Sequence, residues 1–404
     1  MRFFTGICLC LTLFACQPPR TAAPDPSTQS WEQIESAARG QNLTLMMWQG
    51  DPFINEYMRS YVAQELKKRY DIELQIAGGQ GNVIVSALIA KQEAGSPESE
   101  LDMVWINGET FFQLRQIQGL YGPFVSQLPN SQYINLKNPF IGMDFQQAID
   151  GYECPWGNVQ MALIYDSSRV AVSELPQDTA SLARWVAAHP GRFTFSNDFT
   201  GLSFLKALFI RMAGGPDSIK GPFRPELYAR VAPQLWAYLN RIKPGFWKKG
   251  ETFPSGLAAV HQMFAAGEID FTMSMNDTEV DNKIALGLFP NSARAYVWQN
   301  GTLRNSHYLG ITARSAHKAA AMVAINFLIS PEAQLKKSQP AVWGDGTVLS
   351  VSDLASPWKE QFAQIPGRRY APSREGMEPL ALPEPAPEYM LRLAEDFRRE
   401  VIEQ

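Results

Sequence analysis

Aromatic and acidic side chains recur where apolar runs give way to loops. Trp48 ends the run 43–48, and Asp51 follows in a Gly-Asp-Pro step. Trp105 lies near the end of the run 102–106, with Asn107 and Glu109 just beyond it. Gln80 and Asn82 follow the alternating run 72–76 and its Gly78-Gly79 turn. The flat face of an indole attracts a cation, and the attraction grows once water is excluded. Nearby carboxylates add to it. These residue types together suit recognition of a planar cationic solute, although sugars also stack on tryptophan. Each has a structural use as well. Trp48 and Trp105 can cap a core, Asn82 can cap a helix, and Asp51 can brace its proline loop.

Chemistry that makes and breaks bonds has no such foothold. The chain contains no Gly-x-Ser-x-Gly elbow, no His-Glu-x-x-His helix and no Gly-x-x-x-x-Gly-Lys-[Ser/Thr] loop. Its four histidines, His189, His261, His307 and His317, are scattered. Gly78-Gly79-Gln80-Gly81 is too short for a dinucleotide fingerprint. Cys154 stands beside Pro155 and reads as a buried structural thiol. The expectation is a protein with no enzyme activity, no cofactor and no bound metal.

Loops of this kind need strands and helices to aim them. The runs 43–48, 72–76 and 102–106 read as strands, each followed by residues at helical spacing. In the first helix Tyr57, Met58, Tyr61, Val62, Leu66 and Tyr70 recur at that spacing. Lys67, Lys68 and Arg69 fall in its last turn, where cations suit the helix dipole. Strand and helix three times over predict an open, mostly parallel sheet with helices on both faces. Ligands of such sheets sit beyond the carboxyl ends of the strands, so the loops 48–56, 78–82 and 105–109 share one edge. A second unit follows, with buried runs at 159–165, 192–195 and 269–273 and helices expected over 316–329 and 388–403.

At 404 residues, two domains is the natural division. Hydrophobic residues at 45% and charged residues at 19% describe a soluble globular chain. The net charge of -4, without a basic block interleaved by aromatics, argues against a nucleic-acid partner. The N-terminus differs from the rest. Arg2 precedes an apolar run over 3–14, too short to span a bilayer and suited to a signal peptide. It ends in Leu13-Phe14-Ala15-Cys16, so residues 1–16 are expected to be a signal peptide with Cys16 as the lipidated residue. Ordinary cleavage near Ala22-Ala23 is the alternative. Residues 17–40 are expected to act as a tether. Cys8 and Cys10 lie inside the signal, which leaves no pair for a disulfide in the mature chain.

Several stretches, in order, resemble the extracellular solute-binding proteins of ABC importers. They are Leu101-Asp102-Met103-Val104-Trp105, then Pro155-Trp156-Gly157 with Met161-Ala162-Leu163-Ile164-Tyr165-Asp166, then Ala265-Ala266-Gly267-Glu268-Ile269-Asp270-Phe271. The most specific is Ala320-Ala321-Met322-Val323-Ala324-Ile325-Asn326-Phe327-Leu328-Ile329-Ser330-Pro331-Glu332-Ala333-Gln334. Trp48-Gln49-Gly50, the segment 152–156, Asn305-Ser306-His307-Tyr308 and Trp343-Gly344-Asp345-Gly346-Thr347-Val348-Leu349 resemble the YnjB-type branch. The resemblance implies an α/β, two-lobed periplasmic binding protein fold (type II), each lobe a mostly parallel sheet flanked by helices, joined by a hinge. It implies a first lobe over 41–152 plus 299–345 and a second over 153–298 plus 346–404.

It also implies a cleft lined from both lobes. Trp156, Asn158, Thr200, Gly201, Ser203, Asn276 and Asp277 are the further candidates, with His307 and Tyr308 beside the return crossing. Residues such as Thr200 and Ser203 are more often helix caps than ligand contacts, although that turn can take an anion at the helix N-terminus. A thiamine-like cation fits the aromatic and acidic set. Iron-binding relatives often use adjacent tyrosines, and no Tyr-Tyr pair occurs here. The implied partners are a small-molecule ligand and an inner-membrane permease with its ATPase, served by a monomeric, periplasmic, lipid-anchored protein. The alternatives are a lipoprotein that uses this fold without transport and, further off, an exported enzyme.

Overall fold

The computed structural model describes residues 24–276 and 278–404. Residues 1–16, with Cys16, and Asp277 lie outside the described residues. No helix among the described residues is long and apolar enough to cross a membrane.

The first sheet grows from strands whose side chains alternate or are buried throughout. In β1 (Asn42–Met47), Leu43, Leu45 and Met47 point into the core while their neighbours do not. It pairs in parallel with β2 (Glu73–Gly78) and with the fully buried β3 (Met103–Ile106). Two short pieces, β4 (Leu120–Tyr121) and the hairpin β5 (Met143–Asp144) with β6 (Gln147–Ala148), come before two long strands. These are β7 (Glu153–Gln160) and β11 (Thr302–Thr312), antiparallel from Arg304 opposite Gln160 to Gly310 opposite Glu153. Strand β11 lies antiparallel to β3, which joins both long strands to the first sheet. Only Met161 separates β7 from β8 (Ala162–Asp166), so the crossing strand runs straight into the second sheet.

That second sheet has β8 in the middle, between β9 (Phe271–Ser274) and β10 (Ala293–Tyr296), and both pairings are antiparallel. A parallel sheet was the expectation for this lobe too. A strand buried on both faces has the same apolar run in either direction, so the run cannot reveal direction. The run 192–195 is buried at Phe193 and Phe195 but joins no ladder.

Two sets of cores separate the lobes. Leu43, Leu45, Trp105 and Trp156 pack with the apolar helix Lys318–Leu328. Leu163, Phe193, Phe195, Phe204 and Phe271 pack with the last helix, Pro387–Phe397. The tether expected over 17–40 is folded in its later part. Ser30 and Gln33 close a capping box on the helix Trp31–Ala38, whose Ile34 and Ala38 sink into the first core. The segment 346–404, expected in the second lobe, divides between the two. Val348, Leu349 and Leu354 pack into the first core, and Tyr389, Leu393 and Phe397 into the second. The α/β fold is thus two lobes sharing β7 and β11, with β12 (Ala381–Leu382) parallel to the second-lobe end of β11.

Candidate functional site

A cleft with about 760 Å³ of empty space, part of it open to solvent, lies between the lobes against the crossing strands. The first lobe lines it with Trp48, Asp51 and Ile54 after β1, Gln80 after β2, and Trp105 and Asn107 at the end of β3. All three strands therefore present their carboxyl ends to it. Asn107 occupies the N-cap position of the helix Gly108–Gln116, yet its side chain makes no cap bond. Neither Gln80 nor Asn107 has a side-chain hydrogen bond among the described residues, which leaves both amides for a ligand.

Four rings pack under the cleft. Trp105 meets Trp156 edge-on at 5.0 Å and His307 at 4.9 Å. His307 stacks nearly parallel on Trp343 at 5.8 Å. Its Nε2 donates to the Asp345 carboxylate at 3.1 Å, and Lys337 donates to the same carboxylate at 2.5 Å. Burial works against ionised Asp345, but Lys337 and His307 hold its carboxyl below the ordinary range. Gly157 makes this pairing possible. A Cβ there would occupy the space of the Asp345 carboxylate and the His307 ring edge. Between His307 and Tyr308 the ladder shifts register, and the skipped Trp156 gives its carbonyl to Gln334 Nε2 at 2.8 Å.

The opposite wall comes from the second lobe. Asp198 caps the helix Phe199–Met212, with its Oδ1 accepting from Thr200 N and Gly201 N. Its Oδ2 accepts from Leu257 N at 2.8 Å, at the start of the helix Leu257–Ala265. One carboxylate thus closes two helix N-termini that face the cleft, so the turn considered for an anion already holds one. Asp51 does the same for the helix Pro52–Glu56, accepting from Phe53 N and Ile54 N.

Asp51 also reaches across. Lys283 of the second lobe donates to its Oδ2 at 3.0 Å and lies 3.2 Å from Glu279. Burial and the charge of Glu279 raise the Asp51 carboxyl above its ordinary range, against the pull of Lys283. Burial also penalises ionised Glu279, yet His261, Lys283 and Ser274 together hold it below its ordinary range. Asn282 Nδ2 donates to the Trp343 carbonyl at 2.6 Å, and Thr278 Oγ1 to the Gly344 carbonyl at 2.9 Å. The lobes are therefore in contact at the cleft.

Of the residues expected at the site, Trp48, Asp51, Gln80, Trp105, Asn107, Thr200, Asn276 and His307 line this cleft. Others do not. Asn82 is exposed in the first turn of its helix, where Gly81 rather than Asn82 holds the cap position. Trp156 is wholly buried behind Trp105, and Tyr308 gives its hydroxyl to the carbonyls of Ile141 and Met143. Asn158 is tied to Phe140 and Asn305 carbonyls, and Ser203 to the Phe199 carbonyl. Gly201 is spent on Asp198, and Glu109 is buried away from the cleft. Trp343, Asp198, Phe199, Ser274, Glu279 and Asn305 line it without having been singled out. Trp343 was within reach, since it opens the Trp343-Gly344-Asp345 segment that carries part of the resemblance. Among the described residues no group of His, Cys, Asp and Glu is arranged to hold a metal ion.

The profile of the bacterial extracellular solute-binding proteins matches residues 61–366, most of the chain. The chain belongs to this family. This solute-binding protein is 33% identical over 340 residues to Protein YnjB of Escherichia coli (strain K12), covering 82% of this chain and 86% of that one. Solved structures share its fold at low identity. A putative spermidine/putrescine ABC transporter from Listeria monocytogenes matches at TM-score 0.64 and 13% identity, over 90% of this chain and 99% of that one. Fructose-6-phosphate-bound AfuA from Actinobacillus pleuropneumoniae matches at 0.63 and 12%, over 89% and 98%. Iron-bound HitA from Pseudomonas aeruginosa matches at 0.62 and 14%, over 89% and 99%. The family is one of binding proteins rather than enzymes, and its extracellular character implies work outside the cytoplasmic membrane.

Proposed function

We propose that this solute-binding protein captures a small, ring-bearing organic cation in the inter-lobe cleft and delivers it to a permease driven by an ATPase. The observation that carries the reading is the character of the cleft. Trp48, Trp105 and Phe199 supply aromatic surface above the buried Trp343, and Asp51, Asp198 and Glu279 supply carboxylates. No lysine or arginine is among the lining residues, and the nearby cations, Lys283 and Lys206, are held behind them by Asp51 with Glu279 and by Glu384. The helix N-termini that would otherwise favour an anion are closed by Asp51 and Asp198. A desolvated cation over an indole gains about 2 kcal/mol or more. A thiamine-like solute combines the charge and the flat ring.

Closure follows from where the contacts lie. A solute touching Trp105 on one lobe and Asn276 on the other completes its contacts only when the lobes meet, so it favours the closed form. In this reading the chain acts as a monomer in the periplasm, anchored through a lipid on Cys16. Mass spectrometry of the mature N-terminus tests the anchor, and an unmodified chain starting beyond Cys16 contradicts it. Thermal unfolding tests the ligand class. A bound solute at 100 times its Kd adds about 2.7 kcal/mol to the native state. The expected result is a rise in Tm with thiamine or another ring-bearing cation and none with sugars or oxyanions. The reverse pattern contradicts the cationic assignment.

A further inference from the structure

A second contact joins the lobes beside the solute cleft, behind Asn305 and Phe199. The hairpin formed by β5 and β6 turns at Phe145 and Gln146, both in the left-handed region, at φ 44 and 61. Its tip enters the second lobe. Gln146 Nε2 donates to the carbonyls of Glu384 and Ile219 at 2.9 and 3.2 Å, and Gly221 N donates to Gln146 Oε1 at 2.6 Å. The Lys206 ammonium lies 4.1 Å from the centre of the Phe145 ring. Gly108 leaves room for that ring, because a Cβ there would overlap it.

The charges gathered here are unbalanced. Lys206 pairs with Glu384 at 2.6 Å, and Asn305 donates to the other oxygen of Glu384 at 3.0 Å. Facing that pair from the first lobe are Glu109, on the helix Gly108–Gln116, and Asp144, at the hairpin. Both oxygens of Asp144 and the Oε2 of Glu109 are buried without a hydrogen-bond partner. Behind them on β7, both oxygens of Glu153 are also buried without a partner, near Arg115. Tyr308 closes the first-lobe side of the group. A carboxylate without donors does not stay ionised in such a place; it regains water or takes a proton.

We propose that lobe closure in this protein takes up protons, at Glu109 and Asp144 of the first lobe where they meet the Lys206–Glu384 pair of the second. Parting the lobes is expected to return water to both carboxyls, which then ionise as ordinary acids. On closure they lose that water, and one cation already held by Glu384 faces them both. Burial is the largest influence on each and raises both above the ordinary carboxylate range; Lys206 opposes it. The closed form therefore binds protons more tightly than the open one. Its advantage is full at acid pH below the ordinary carboxylate range and is lost as pH rises through the raised values. Each proton taken up shifts the closed-to-open ratio about tenfold per pH unit in that window.

The inference rests on the two lobes opening and closing, but it needs no solute, so it stands or fails apart from the ligand assignment. The test is small-angle X-ray scattering of residues 24–404, the whole described fold, without ligand, from about pH 5 to about pH 8. The radius of gyration is expected to grow as pH rises, and the growth is expected to vanish when Asp144→Asn and Glu109→Gln are combined. A wild-type radius that stays constant over that range overturns the proposal, as does an undiminished response in the folded double variant. Infrared spectroscopy supplies a check that does not depend on the double variant folding. At the acid end of that range the wild type is expected to carry a protonated-carboxyl band that weakens in Asp144→Asn, and the absence of that difference also overturns the proposal.

Discussion

His307 and Tyr308 are neighbours on β11 with opposite fates. His307 lines the cleft and stacks on Trp343, while Tyr308 is sealed among first-lobe side chains. Alternation along a strand forces that split, since successive side chains point to opposite faces. Asn305 shares the face of His307, two residues away, and lines the cleft as well. If Trp48 and Trp105 hold a cationic ring, Trp48→Ala and Trp105→Ala each weaken capture about tenfold or more, the equivalent of ~1–2 kcal/mol of cation–π contact. Titration calorimetry reads this, and unchanged affinity in both variants contradicts it. Gly157→Ala is expected to cost about 1–3 kcal/mol in chemical denaturation, because the added methyl must displace the His307–Asp345 pair. A wild-type midpoint would show that the pair yields freely. The sequence made the cleft-facing loop residues legible, because Trp48, Gln80 and Asn107 follow strand ends. It could not separate Trp156 from Trp105, because both are tryptophans at strand positions and only packing puts one behind the other.

Helix ends are where the elements shape the site. Asp198 satisfies two helices at once, so Asp198→Ala is expected to cost about 1–2 kcal/mol for each lost cap. It also frees the N–H groups of Thr200 and Gly201, which then suit an anion. Sulfate is therefore expected to raise the Tm of Asp198→Ala more than that of the wild type; equal effects contradict the capping account. The short helix Glu279–Ala285 carries the other device. Lys283→Met leaves Asp51 and Glu279 facing each other without their cation, a loss of about 3–5 kcal/mol for a broken buried pair. Asp51 already has a raised affinity for protons. In the variant a proton on Asp51 removes the repulsion, so the loss is expected to be greatest near neutral pH and to shrink on acidification. Denaturation at several pH values checks the sign. Nothing in the sequence marked this clasp. Its charges come from residues 232 positions apart that only the closed lobes bring together.

At the scale of the molecule, the strand-helix rhythm of the first lobe was readable because each strand is short, apolar or alternating, and followed by a helical repeat. The crossing strands were readable at Pro155-Trp156-Gly157 and Asn305-Ser306-His307 through the resemblance those segments carry. Strand direction in the second lobe was not readable, since buried runs look alike either way. Nor was the split of 346–404 between the lobes, because Val348 and Leu349 differ from Tyr389 and Leu393 only in which core they meet. The two lobes, their shared strands and the aromatic, acidic cleft lead to one central claim, that the cleft captures a ring-bearing organic cation. Isothermal titration of residues 24–404 with thiamine, a sugar and an oxyanion tests it most directly. The account predicts saturable binding of the cation, lost in Trp48→Ala combined with Trp105→Ala. Saturable binding of the sugar or the oxyanion, with no heat from the cation, would contradict it.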